Sequence, residues 1–188
     1  MENRRIRMTK KLIKDALVSL LQKKTLDKIS VREICDVADV NRSTFYDHYE
    51  DIYALFREME NDFMSQIPKD YSSIGTDRQF YELVRFVREN ESLYVAIRKY
   101  SDLFGEKLTQ IVLENYHADG GRQNDRLMTE MKVIYVVNGS CYLLDDWIKR
   151  SYYCTAEQMA AILMKLANGV FSPGAAAQQA KSPHHAVQ

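Results

Sequence analysis

Between positions 42 and 48 the chain sets Arg42, Ser43, Thr44, Tyr46 and His48 around Phe45 and Tyr49, two aromatic residues that share a helical face at i, i+4. An arginine can grip guanine or phosphate, hydroxyls meet phosphate oxygens, and a phenol and an imidazole can donate to a sugar-phosphate backbone. Together that is chemistry suited to a DNA major groove. The same side chains would also suit a solvated helix in an ordinary helical domain, so the surrounding elements must decide.

Those elements are well punctuated. Ser30 followed by Glu33 forms a capping box and predicts a helix from Val31 to about Ala38, with Val31, Ile34, Cys35 and Ala38 facing inward. Asp39, Val40 and Asn41 interrupt the period, and Asn41 can cap a second helix from Arg42 to about Tyr49. Two short helices with a tight turn between them read as a helix-turn-helix. Thr9 can cap an earlier helix running to about Lys23, whose face Ile13, Ala16, Leu17, Leu20 and Leu21 would pack over the motif. Residues 1–8 then form a basic arm, from which Arg4, Arg5 and Arg7 can reach phosphates or a minor groove. Ser30 and Arg32, at the amino end of the first motif helix, can hold a phosphate on its free amides.

The stretch Val40 to Leu55, VNRSTFYDHYEDIYAL, resembles the signature of the TetR/AcrR family of bacterial repressors, and the apolar positions Ile13 to Leu21 and Ile29 to Ala38 match that family's first two helices. The resemblance covers the first quarter to third of the chain. It implies a homodimeric, sequence-specific regulator of transcription, a repressor, that reads a palindromic operator in double-stranded DNA. By the same resemblance Thr44, Tyr46 and His48 fall on phosphates, and Arg42, Ser43 and Tyr46 on base edges or nearby backbone. Two positions depart from the family pattern. Its lysine at the start of the fourth helix is Ile52 here, which leaves that phosphate to the helix amides or to nothing. Its small turn residue is Asp39, which can adopt a left-handed conformation at modest cost.

Composition is consistent with this assignment. The 188 residues, 46% apolar and 11% aromatic, can bury a sizeable core. Net charge is zero, yet residues 1–50 hold eleven Lys or Arg against eight Asp or Glu, a net of +3 that the remainder cancels. A polyanion would be met by that end. No stretch approaches the roughly 18 to 20 uncharged apolar residues of a membrane span, and no leader opens the chain, so a cytoplasmic protein without membrane contact is expected. Cys35, Cys141 and Cys154 lack any metal-binding spacing and read as buried small hydrophobes. Neither they nor His48 and His117 form a triad, metal or phosphate-loop pattern, so no catalytic residue, metal or cofactor is expected and the chain is not an enzyme.

The remaining pattern is all-α. Asp51 caps a connector helix from Ile52 to about Gln66, with Ile52, Leu55, Phe56, Met59 and Phe63 as its apolar stripe, and Pro68 stops it. The loop at 69–75 marks a boundary, after which Thr76 with Gln79 opens a helix over Asp77 to Glu89. Helices over about Ser92 to Lys99 and Asp102 to His117 follow. The longest pattern, Asp125 to Arg150, is apolar on almost every face and calls for burial by its own domain on one side and a second copy on the other. Thr155 with Gln158 opens the last helix, which Gly169 closes. The resembled family dimerises through its last two helices, which assigns Tyr135, Asn138, Gly139, Tyr142, Leu143, Met159, Ile162, Leu163 and Leu166 to a four-helix interface. Its members commonly bind a small effector in the second domain. Here Tyr81, Phe86, Tyr94, Tyr100, Phe104, Tyr116, Tyr135, Tyr142 and Trp147 could line a pocket for a small hydrophobic or aromatic effector, although such rings are more often core.

The expected organisation is a three-helix DNA-binding head at 1–50, a helical ligand-binding and dimerisation bundle at 51–171 with its connector at 51–67, and a disordered tail at 172–188. The alternative is a helical dimerisation or adaptor protein that answers to a protein co-regulator and binds no small ligand.

Overall fold

The computed structural model describes residues 4–67, 77–118 and 126–171. Among these the chain is helical: α1 (Arg4–Leu21), a 3-10 turn (Leu26–Lys28), α2 (Val31–Ala38), α3 (Arg42–Tyr46), α4 (Ile52–Gln66), α5 (Asp77–Glu89), α6 (Glu91–Tyr100), α7 (Phe104–Ala118), α8 (Arg126–Lys149) and α9 (Ala156–Phe171). The loop expected at 69–75, the paired glycines at 120 and 121 and the tail from 172 fall outside the described residues. No described helix is long and apolar enough to cross a membrane.

The chain divides into two compact units, Met1–Pro68 with Arg85–Leu108, and Lys69–Val84 with Thr109–Gln188. In the first unit α1 buries Ile13, Ala16, Leu17 and Leu20 and packs on α2 and on α6. In the second, α8 lies along α9 and buries Val133, Val137, Cys141, Leu144 and Trp147, one inward stripe at helical spacing.

Several helix ends differ from the sequence-based expectation, each for a local reason. α1 begins at Arg4, so Arg4, Arg5 and Arg7 stand on helical turns and not on an extended arm. Arginine, methionine and lysine are good helix formers, and Thr9, expected as a cap, donates its hydroxyl to the Arg5 carbonyl at 3.0 Å inside the helix. α3 stops at Tyr46 because the following amides of Asp47, His48 and Tyr49 fold back onto Ser43 and Phe45 in a tightening turn. Asn41 occupies the cap position with extended backbone, yet its side chain makes no cap bond. Gly169 does not end α9, which continues to Phe171.

Candidate nucleic-acid interface

The capping box forms as expected: the Glu33 amide donates to Ser30 Oγ at 3.3 Å, and the Ser30 amide and hydroxyl donate to Glu33 Oε2 at 2.9 and 2.8 Å. Lys24 also reaches Glu33, and its hydrogen bond, with those from Ser30, holds the Glu33 carboxyl at about 2. Ser30 is therefore committed to Glu33. What this end of α2 offers a phosphate is backbone amides, together with the exposed Arg32, which pairs with Asp36 at 3.6 Å.

The turn into α3 depends on Asp39, whose φ of 52° and ψ of 48° are left-handed, with its own amide and that of Val40 donating to the Cys35 carbonyl. Phe45 is fully buried and anchors α3. The Tyr46 ring meets it in a T-shaped contact at 5.6 Å, and the Tyr49 ring is tilted against it at 5.7 Å. Arg42 and Ser43 are exposed, Tyr46 is 57% exposed, and Thr44 and His48 are half-buried. Arg42 forms no ion pair among the described residues. The donor face of positions 42–48 thus points outward from a fixed backbone. Asp39, Asp47, Glu50 and Asp51 are exposed around the same helix and give it an acidic rim.

Behind the head, Lys10 and Lys14 on α1 meet Glu58 and Asp62 on α4, with Lys14 at 2.6 Å from both carboxylates and Lys10 at 3.1 Å from Glu58. The Tyr49 hydroxyl donates to Glu58 at 3.2 Å. Burial pushes Lys14 down and Glu58 up, but the hydrogen bonds of Lys14 with Asp62 and Glu58, and those of Glu58 with Lys14 and Lys10, outweigh it, so Lys14 rests above its ordinary value and Glu58 below. Asp51 caps α4 by accepting from the Ala54 amide at 2.6 Å. The sequence reading missed this α1–α4 network because it followed only the apolar stripe of α4. A signal was present: two lysines four apart on one helix, and two carboxylates four apart on another.

Of the nine rings proposed for an effector pocket, five have packing or hydrogen-bonding partners in their own subunit. Phe86, Tyr94 and Phe104 pack about Phe63, with ring centres 4.8, 6.2 and 6.3 Å away, a filled aromatic core. The Tyr100 hydroxyl donates to Asp27, which ties the 3-10 turn to α6. Trp147 is buried, donates from Nε1 to the Cys154 carbonyl at 2.8 Å and meets the Tyr152 ring at 4.7 Å, so it closes the α8–α9 turn where Ser151 and Tyr152 are left-handed. Tyr135 and Tyr142 stand outward, 69% and 71% exposed, and Tyr81 is half-buried. The Tyr116 side chain lies outside the described residues.

Of the proposed interface residues, Tyr135, Asn138, Gly139, Tyr142, Ile162 and Leu166 are exposed and Leu143 is half-buried. Met159, at 0% exposure, and Leu163 belong to the core between α8 and α9. Met159 is corrected from a contact residue to internal packing, since a side chain with no free surface presents nothing to a second copy, while Leu163 also lines the groove between the two helices. A groove of about 300 Å³ runs between the two helices, bordered by Tyr135, Gly139, Tyr142, Leu143, Leu166 and Val170.

Comparison with known proteins agrees with this geometry. Residues 13–59 match the family described as bacterial regulatory proteins, tetR family. The DhaS protein of Lactococcus lactis subsp. lactis (strain IL1403), described as an HTH-type dhaKLM operon transcriptional activator, is 31% identical over 91 residues, 48% of this chain. The match spans 49% of that relative's length. Two solved structures share the fold. One, a dihydroxyacetone kinase operon activator DhaS, has a TM-score of 0.63 and 23% identity over 85% of this chain and 93% of its own. The other, a TetR transcriptional regulator from Streptococcus agalactiae 2603V, has a TM-score of 0.62 and 21% identity over 87% and 96%. Its amino-terminal helices, residues 13–59, are thus similar to those of the tetR family of bacterial regulatory proteins.

Proposed function

We propose that the chain is a homodimeric, sequence-specific DNA-binding regulator of transcription that reads a palindromic operator. The observation that carries this is the outward donor face of α3, Arg42, Ser43 and Tyr46, held on a buried Phe45 in a family-matched head. The basic turns of α1, with Arg4, Arg5 and Arg7, supply phosphate contacts, while the acidic rim around α3 weakens binding to unselected sequence.

A second copy is the partner that α8 and α9 ask for. Tyr135, Tyr142, Ile162 and Leu166 leave an apolar surface in water. A Cβ built on Gly139 meets nothing within 4 Å, so its own subunit gives no reason for a glycine in mid-helix. A glycine there costs about 1 kcal/mol against alanine, and the close approach of a second helix would account for it.

For the switch, a protein co-regulator is favoured over a small apolar effector, because Phe86, Tyr94, Phe104 and Trp147 are already packed as core. The Lactococcus relative is described as an activator, whereas the family resemblance implied a repressor. A reporter gene measured with and without the protein reads the sign, repression lowering its output.

Selection of duplexes from a random pool by the purified protein tests the whole reading. It should enrich inverted repeats with half-sites about one helical turn apart, and affinity should fall steeply as salt rises. A pool that stays random, with binding indifferent to salt, would leave the adaptor alternative standing.

A further inference from the structure

Glu60 is the one charged side chain buried in the described core, 4% exposed on a helix whose other inward positions are Leu55, Phe56, Met59, Phe63 and Met64. Its Oε1 accepts from the Ser101 hydroxyl at 2.7 Å and from Lys107 Nζ at 2.9 Å. Ser101 ends α6 and Lys107 lies in the first turn of α7, so one carboxylate oxygen ties the middle of the connector to the corner between the next two helices. Arg98 rests over the Phe104 ring of the same corner at 5.7 Å. The chain leaves the first unit after Leu108, one residue beyond Lys107.

We propose that Glu60 is a positioning residue: it fixes the placement of α4 on the α6–α7 corner and so sets how the reading helix is presented to DNA. Leucine or methionine would pack at this position without removing a charge from water, and replacing a buried ion pair by apolar residues is commonly neutral or stabilising. What the carboxylate adds is register. An apolar contact survives sliding by a fraction of a turn, whereas a carboxylate that must meet a hydroxyl on one helix and an ammonium on the next has a single solution. On the opposite side of α4, the lysine pairs of Glu58 and Asp62 are partly exposed and screened by salt. The Glu60 side chain, 5% exposed, is better shielded than that of Glu58 or Asp62, whereas its partner Lys107 is 40% exposed. This rests on the DNA-binding reading above.

The test uses the full chain and the duplex that the wild-type protein selects. The pair Glu60→Met with Lys107→Met should keep its helicity, oligomeric mass and melting temperature. It should bind that operator at least tenfold more weakly and lose preference among operators whose half-sites are moved apart by one or two base pairs. Ser101→Ala, a milder change at a half-buried site, should keep the fold and lose part of the same spacing preference. Wild-type affinity and wild-type spacing preference in the double variant, or in Ser101→Ala where the double variant does not fold, overturn the proposal and leave the cluster as packing only. A wild-type protein that selects no duplex is a different failure, one that removes the DNA-binding reading and this role with it.

Discussion

Arg42 carries the sharpest residue-level expectation, because it is exposed, without an ion pair among the described residues, and placed at the first position of α3. Arg42→Ala should cost about 1 to 3 kcal/mol of operator binding, roughly 5- to 150-fold, and relax the preference at one base pair, measured by titration against single-base operator variants. Tyr46→Ala should abolish binding while the oligomeric mass stays unchanged, since Tyr46 is 57% exposed and its ring makes a T-shaped contact with Phe45. Glu33 gives an expectation in pH. Its carboxyl sits at about 2 in the folded chain, below the ordinary 4.5, because Lys24 and Ser30 bond its ionised form. The stability this contributes is present above pH 4.5 and is lost as pH falls through 2. Glu33→Gln should therefore narrow its deficit against wild type as pH is lowered across that window, which acid-dependent unfolding followed by circular dichroism can read. A deficit that stays constant with pH would contradict it.

Among the elements, α8 is where length and burial disagree. Its inward stripe fills its own subunit, while Tyr135 and Tyr142 face water on the other side. Gly139→Ala should raise the stability of the separated subunit by up to about 1 kcal/mol and weaken the dimer, whereas Gly139→Leu should leave mainly monomer by analytical ultracentrifugation. A leucine variant that remains fully dimeric would place the contact elsewhere. Helix starts were readable from sequence where a side chain bonds its own helix end. Ser30 with Glu33, Asp51 and Thr155 with Gln158 all cap as their spacing indicated. Asn41 and Gly169 show the limit of such signals. A cap residue need not use its side chain, and a glycine need not stop a helix whose neighbours still bury Leu163 and Ala167.

At the scale of the whole molecule, the expected function depends on two heads meeting one duplex. Inserting about half a helical turn, roughly five base pairs, between the half-sites should nearly abolish binding, and a full turn should restore part of it if the linking helices bend. Gel shifts on the three spacings would show this, and equal affinity for all of them would mean that the heads act independently.

The sequence by itself determined the helices, their caps and the outward face of α3, because each follows from contacts between residues no more than four apart. It could not show that Tyr100 is taken up by Asp27, that Phe86, Tyr94 and Phe104 close on Phe63, or that Glu60 meets Ser101 and Lys107. Those partners lie dozens of positions apart, apart from the neighbouring rings and the 101–107 corner, and periodicity alone assigns a ring or a carboxylate to a face without naming what the face meets. Only the packing of helices against one another decided whether an aromatic residue lines a pocket or fills a core.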